Sequence, residues 1–143
     1  LGVARELLLR GLQAQMSTQP VVQSPQALRD WLRLHCAGLQ HEVFIVLFLD
    51  TQHRLLSAAE IFRGTLSQTS VYPREVVKRA LELAATAVIL VHNHPSGDPT
   101  PSRADIEMTR QVVETAKPLG IAVHDHIIIG RDGHASLKGL QLM

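Results

Sequence analysis

The side chains best suited to chemistry lie between residues 92 and 105, where two histidines are followed by a serine and an aspartate. His92 and His94 are one residue apart, and alternate side chains of a strand point to the same face. Imidazole nitrogens and a carboxylate oxygen are zinc ligands, and three protein ligands leave a fourth position for water, as in catalytic sites. Such a cation lowers the pKa of its water to about 7. The residue types therefore indicate metal-assisted hydrolysis.

The elements around these residues are expected to bring them together. The apolar run at residues 87–91 (AVILV) predicts a buried strand that leads into the histidines. The proline-rich segment 95–101 cannot continue that strand and favours turns. Ser102 then stands at an N-cap position for a helix over residues 102–117. On this helix Asp105 falls at the edge of the apolar stripe, where a carboxylate is costly unless it is paired or bound to a metal.

The same residues have simpler interpretations. Ser102 and Asp105 also match a capping box with Asp in place of the usual Glu, although capping and metal ligation are compatible. An HxH pair alone is common by chance. Asp98 competes with Asp105 as the carboxylate ligand, but its place beside a glycine and a proline is typical of a turn.

A second HxH pair, His124 and His126, lies in the strand predicted over residues 121–129. Three isoleucines follow it, rather than a turn and a helix that carries a carboxylate. We therefore predict that neither histidine is a metal ligand. One of them is expected to be a hydrogen-bond partner of a ligand or a satisfied core residue.

The complete motif resembles that of a known family. HxH, seven residues and S-x-x-D match the signature of JAMM (MPN-type) metalloproteases at His92, His94, Ser102 and Asp105. The longer string VHNHPSGDPTPSRAD, with RGTL and YPREVVKRAL before it and DHIIIG after it, resembles the bacterial RadC proteins from about residue 25 to the end. A helical region upstream is usual in that family, and a chain that begins with Leu rather than Met fits this expectation.

The resemblance implies a fold, a cofactor and residue roles. The fold is an α/β sandwich, cytidine-deaminase-like, with a mixed, mostly antiparallel and curved sheet flanked by helices. His92, His94 and Asp105 would bind Zn²⁺, and an upstream glutamate would be the general acid and base. Ser102 would position the reacting water or an oxyanion. The reaction implied is hydrolysis of a peptide or isopeptide bond.

Two glutamates compete for the acid–base role. Glu42 precedes the apolar strand VFIVLFL, where its side chain can reach the end of a neighbouring strand. Glu60 lies within the next predicted strand, residues 54–63. The JAMM resemblance places the glutamate before an apolar strand upstream of HxH, which favours Glu42. The alternative is that Glu42 is an ordinary exposed residue at a strand start.

Composition excludes several classes of protein. The chain has 143 residues, of which 45% are hydrophobic and 19% charged, as expected for one globular domain with a core. A net charge of +1 gives no electrostatic footprint for nucleic acid, and no apolar run approaches the roughly 18 residues of a membrane span. The single cysteine, Cys36, cannot form an intramolecular disulfide, which favours a cytoplasmic protein. We expect Cys36 to pack rather than react.

We divide the chain into an N-terminal helical arm and linker, residues 1–24, and a JAMM-type catalytic domain, residues 25–143. The arm is predicted as a short helix over residues 1–16, interrupted by Gly11, in which Leu1, Leu8 and Leu12 can share a face. The polar residues 13–23 predict a linker. The later elements alternate between strands and helices in an order typical of an α/β layer fold.

Three functions are compatible with this reading. The first is a zinc-dependent hydrolase that acts on a peptide or an isopeptide-linked protein. The second is a non-catalytic metal-binding module, associated with DNA repair or processing or with homo-oligomers. The complete motif favours the first, because a module without turnover would be free to lose it. A metal-dependent nuclease ranks last, because two-metal chemistry uses several acidic ligands and aromatic residues for base stacking make up only 3% of the chain.

Overall fold

The computed structural model describes residues 2–23, 25–36, 39–64, 71–131 and 133–143. The strand expected near residues 65–68 lies outside these ranges. The elements in chain order are α1 Gly2–Thr18, a 3-10 turn Val21–Gln23, α2 Pro25–Cys36, β1 Glu42–Leu49, β2 Leu55–Gly64, α3 Val71–Glu82, β3 Ala87–His94, α4 Arg103–Ala116, a 3-10 turn Lys117–Leu119, β4 Ala122–Gly130 and β5 Gly133–Ser136.

The described strands form one mixed sheet in the order β2-β1-β3-β4-β5. All neighbouring pairs are antiparallel except β3 and β4, which are parallel. A parallel pair needs a crossover connection, and α4 supplies it. The start of α4 therefore lies near the end of β3 that carries the two histidines. The predicted α/β fold with a mixed, mostly antiparallel sheet flanked by helices is confirmed.

Helices cover both faces of the central strands. Odd-numbered side chains of β1, such as Ile45 and Leu47, pack with α1 and α2 in one hydrophobic cluster. Even-numbered side chains, such as Phe44 and Val46, pack with α3 and α4 in a second cluster. Strands that are covered on both faces have continuous apolar sequences, which explains the runs in β1 and β3.

The N-terminal arm differs from its prediction. α1 has 17 residues and continues to Thr18, so most of the expected linker over residues 13–23 is helical. Its buried side chains are Leu9 and Met16, whereas Leu8, which we expected to share a face with Leu1 and Leu12, is 58% exposed. The inward face is decided by the contact of α1 with α2 and β2, which α1's own spacing does not reveal. Within the described ranges, no helix is long and apolar enough to cross a membrane.

Cys36 at the end of α2 is buried with 6% of its surface exposed. Burial, with the nearby charge of Glu60, raises the pKa of its thiol to about 12. Because the thiolate is the reactive form, we expect Cys36 in the folded protein to resist iodoacetamide at mildly alkaline pH and to react fully in denaturant. Mass spectrometry of native and denatured samples measures this difference, and rapid alkylation of the native protein would contradict it.

Candidate metal centre

The end of β3 and the start of α4 bring the predicted ligands to one point. The loop between them turns at once, since Gly97 has a φ of +102° and its amide donates to the carbonyl oxygen of His94. The loop also packs against the end of β4, where a Cβ at Gly130 would lie 2.3 Å from the carbonyl oxygen of Gly97. Glycine at position 130 therefore permits this close approach.

The three candidate ligand residues form a small triangle, to which each histidine contributes Nε2 and Asp105 contributes its two carboxylate oxygens. Nε2 of His92 lies 3.0 Å from Nε2 of His94 and 3.0 Å from Oδ1 of Asp105, and Nε2 of His94 lies 3.1 Å from Oδ2 of Asp105. Around a tetrahedral zinc with bonds of about 2.0–2.1 Å, neighbouring ligand atoms lie about 3.3 Å apart. The three residues can therefore hold a metal ion with little adjustment. His92 is fully buried and His94 is partly exposed, so the site opens to solvent at His94.

A chain of buried hydrogen bonds orients His92. Its Nδ1 lies 2.7 Å from Nε2 of His126, and Nδ1 of His126 contacts the hydroxyl of Thr109. That hydroxyl donates its proton to the carbonyl oxygen of Asp105 at 2.8 Å, so it accepts from Nδ1 of His126. Burial keeps the pKa of His126 well below its ordinary value, and its Nε2 therefore accepts from His92. A neutral His92 then keeps its Nε2 lone pair for a cation.

The carboxylate of Asp105 stays ionised in a buried position. Burial alone raises the pKa of the carboxyl group, but the contacts with the imidazoles of His92 and His94 and a hydrogen bond from the backbone amide of Ser102 lower it well below its usual value. The hydrogen bond with Asp105 in turn raises the pKa of His94, whose Nδ1 faces the carbonyl oxygen of Asp98 at 3.0 Å. A cation that binds here replaces protons at the ligand atoms.

Comparison with known families agrees with this geometry. The family model described as RadC-like JAB domain matches residues 22–142 of the chain. The chain belongs to this family. The resemblance to RadC proteins that its motif suggested is thus confirmed, and the whole of α1 lies outside the matched residues.

In this JAB domain Glu42 lies beside the triangle. Glu42 begins β1, in which Phe44 pairs with His92 of the antiparallel strand β3. Because Glu42 precedes Phe44 by two residues, it lies beside the end of β3 that carries His94. Its charge contributes to the raised pKa of His94. The side chain of Glu42 is half-buried. Its role as general acid and base stays a prediction.

Glu60, the competing glutamate, belongs to the other face of the sheet. It pairs with Ile45, whose side chain packs in the cluster below α1 and α2, and directly paired residues share a face. The charge of Glu60 acts on Cys36 in that same layer. The strand register therefore separates Glu60 from the metal centre and favours Glu42.

Asn93, which sequence reasoning did not single out, holds the start of β1. Its side-chain oxygen accepts from the backbone amide of Val43 at 2.7 Å, and its side-chain amide donates to the carbonyl oxygen of His41 at 3.0 Å. These contacts fix the backbone on both sides of Glu42. The signal in the sequence was an amide side chain directly after the apolar run of β3, and the structure leaves only 3% of Asn93 exposed.

Ser102 and Asp105 form the predicted capping box. The Ser102 hydroxyl accepts from the Asp105 amide at 3.0 Å, and Oδ2 of Asp105 accepts from the Ser102 amide at 2.8 Å. The cap and the metal centre thus share one carboxylate. Whether Ser102 also positions a water or an oxyanion stays a prediction.

The alternative ligands lie elsewhere. The carboxylate of Asp98 accepts from the amide and hydroxyl of Thr100 at 3.0 and 2.6 Å, as expected of a turn residue. Its backbone carbonyl, rather than its carboxylate, reaches His94. In the second HxH pair, His126 is the hydrogen-bond partner of a ligand, whereas His124 packs against the ring of His53.

Removing the hydroxyl of Thr109 tests the buried chain. We expect Thr109→Val to weaken zinc binding by about 10- to 100-fold, because the orientation of His92 is lost. The free energy of unfolding should fall by about 1–3 kcal/mol, because a buried donor on His126 loses its acceptor. Competition with a chromophoric chelator and urea unfolding measure the two effects.

The matched control for this experiment is Thr115→Val on the same helix. The hydroxyl of Thr115 donates to the carbonyl oxygen of Gln111 at an exposed position, so zinc affinity should not change. A folded Thr109→Val protein that binds zinc like the parent would show that the chain does not orient His92.

Proposed function

We propose that this RadC-like JAB domain is a zinc-dependent hydrolase of amide bonds in a peptide or an isopeptide-linked protein. The observation that carries the proposal is the triangle of His92, His94 and Asp105, with ligand atoms 3.0–3.1 Å apart and one partly exposed side. Two imidazoles with one carboxylate favour zinc among the common divalent cations. When bound, zinc supplies a Lewis acid that polarises a carbonyl group and lowers the pKa of water to about 7.

The residues around the triangle have complementary tasks in this proposal. Glu42 accepts the proton of the attacking water and delivers it to the leaving amine, as a general base and then a general acid. Asn93 keeps Glu42 in place through the backbone contacts on both sides of it. In the capping box the hydroxyl of Ser102 acts as an acceptor, so its own proton is available for a substrate oxygen.

The proposal extends to the compartment of the protein and to its partners. We propose a cytoplasmic protein, because its single cysteine is a free, buried thiol and reducing compartments keep thiols free. The partner is a polypeptide substrate that enters at the exposed side of His94. Self-association into homo-oligomers is a further expectation, which sedimentation of the purified protein would test.

Metal analysis together with a cleavage assay tests the function. The purified protein should bind about one zinc per chain, as one triad predicts. It should cleave members of a degenerate peptide library or of a set of lysine-linked isopeptides. Chelation should abolish the cleavage, and added zinc should restore it. Cleavage that survives chelation would overturn the mechanism, whereas stoichiometric zinc without cleavage of any substrate would indicate a binding module.

A further inference from the structure

A groove on the α2 face of the sheet reaches the end of β3 at His94, which is the one of the three predicted metal ligands among its described lining residues. Its first part is a cavity of about 480 Å³ whose lining includes His94 and Pro95. Its second part, about 580 Å³, lies between α2 and strands β4 and β5. The two cavities share Arg33, Ile129 and Arg131, so they are parts of one groove. Their sizes lie within the usual range of ligand sites, about 300–1,000 Å³.

The groove exists because α2 leaves part of the sheet uncovered. On β4, the side chains that face α3 and α4, such as His126 and Ile128, are fully buried. Their neighbours Ile127 and Ile129, which face α2, are only partly buried and line the groove. This side of β4 therefore offers an apolar floor that no described element covers completely.

The rim of the groove is basic. Arg29, Arg33 and Arg131 line it, and all three are exposed. Arg29 donates to the neutral side chain of Gln26 at 2.9 Å, and Arg131 has only a long contact of 3.4 Å with the carbonyl oxygen of Ser96. Within the described part of the chain, no carboxylate forms an ion pair with these guanidinium groups. Residue 132 lies outside that part.

The one carboxylate that lines the groove among the described residues is already engaged. Asp125 accepts from the hydroxyl of Ser136 at 2.5 Å and from the amide of Lys138 at 3.1 Å. It joins β4 to the segment after β5, and among the described residues it forms no ion pair with the arginines. Among the described residues, the groove thus combines an apolar floor with three arginines that form no ion pair with a carboxylate.

We propose that this groove binds an extended, acidic segment of the substrate polypeptide next to the bond that is cleaved. The inference rests on the proposed hydrolase function, since it identifies the class of substrate for that site. Guanidinium groups bind carboxylates through paired hydrogen bonds. An extended chain alternates its side chains, so that acidic groups can reach the rim while apolar groups contact Ile127 and Ile129. β5 lies at the sheet edge and can pair with the backbone of such a segment.

A polypeptide fits this groove better than a nucleic acid. The floor is aliphatic, whereas single-stranded nucleic acids are held by aromatic side chains that stack on the bases. The net charge of +1 is also too small for a general phosphate-binding surface. The acidic substrate segment is therefore the occupant to test, and an oligonucleotide is the competing one.

Fluorescence anisotropy with the zinc-loaded protein tests the proposal without requiring turnover. The probes are a short labelled peptide that alternates glutamate and leucine, its counterpart with glutamine in place of glutamate, and a labelled single-stranded oligonucleotide. We expect the acidic peptide to bind at least about 10-fold more tightly than the neutral peptide, with an affinity that falls as salt is added. Arg33→Gln should weaken acidic-peptide binding by about 10-fold and leave zinc affinity unchanged.

Arg110→Gln is the matched control, because Arg110 lies on α4 at the other face of the sheet and pairs with Glu107. It should leave peptide binding unchanged. Equal binding of the two peptides, or an Arg33→Gln protein that binds like the parent, would overturn the proposal. Tighter binding of the oligonucleotide that depends on Arg33 would assign the groove to nucleic acid instead. Failure of the hydrolase proposal would appear separately, as peptide binding without cleavage.

Discussion

An Asp105→Asn protein is expected to bind zinc more than about 100-fold more weakly than the parent and to lose hydrolysis. Removing a residue that only hydrogen-bonds to a metal ligand lowers metal affinity by about 10- to 100-fold. The Asp105→Asn substitution removes the negative charge of a ligand itself, so the loss should be larger. Asparagine keeps an oxygen that can accept from the Ser102 amide, so the helix cap is retained. The substitution thus separates the two roles of this carboxylate. Chelator competition measures affinity, and thermal unfolding checks that the fold persists.

Asp98→Asn is the control for the lost charge. Asp98 lies in the loop that precedes α4 and is exposed, and its carboxylate accepts hydrogen bonds from Thr100. Its backbone carbonyl still holds His94 after the substitution. We expect its zinc affinity to stay within about twofold of the parent, as for surface changes away from a ligand. If Asp105→Asn retained parental zinc affinity, the triangle could not be the metal centre.

The second large effect concerns Glu42. We expect Glu42→Gln to lower kcat by about 10²- to 10⁴-fold, the usual contribution of a positioned general acid or base. Zinc affinity should be nearly unchanged, because Glu42 is not one of the three ligand residues. Turnover of the best library substrate, measured at equal zinc occupancy for both proteins, gives the comparison.

Glu60→Gln is the matched control for this experiment. Glu60 is a strand glutamate of the same type, but it lies on the opposite face of the sheet beside Cys36. The Glu60→Gln protein should retain most of the hydrolytic activity of the parent. Full turnover by Glu42→Gln would exclude Glu42 as the base. Loss of zinc from the same variant would instead make it a ligand.

Features that depend on neighbours along the chain were predictable from the sequence. The strand at Ala87–His94, the turn after it and the capped helix at Arg103–Ala116 each follow from periodicity, proline and glycine placement or capping residues. The side of α1 that faces the protein was not predicted. Its residues support more than one apolar face, and only the contact with α2 and β2 selects the side with Leu9 and Met16.

By itself, the sequence determined which residue types could form the centre, and it limited the acid–base candidates to two. Spacing within one element decides which side chains share a face, and this information is local. Only the tertiary structure places Glu42 near the triangle and Glu60 on the other face of the sheet, because their positions depend on the register of β1 with its two neighbours. The contact of His126 with His92 likewise depends on the pairing of β3 with β4. The groove beside α2 arises because the helices do not cover that face of the sheet completely. Strand register is set by packing between segments that are distant in the sequence, because shifting a strand by one residue would turn its buried side chains to the wrong face. The extent to which helices cover the sheet depends on the same long-range packing.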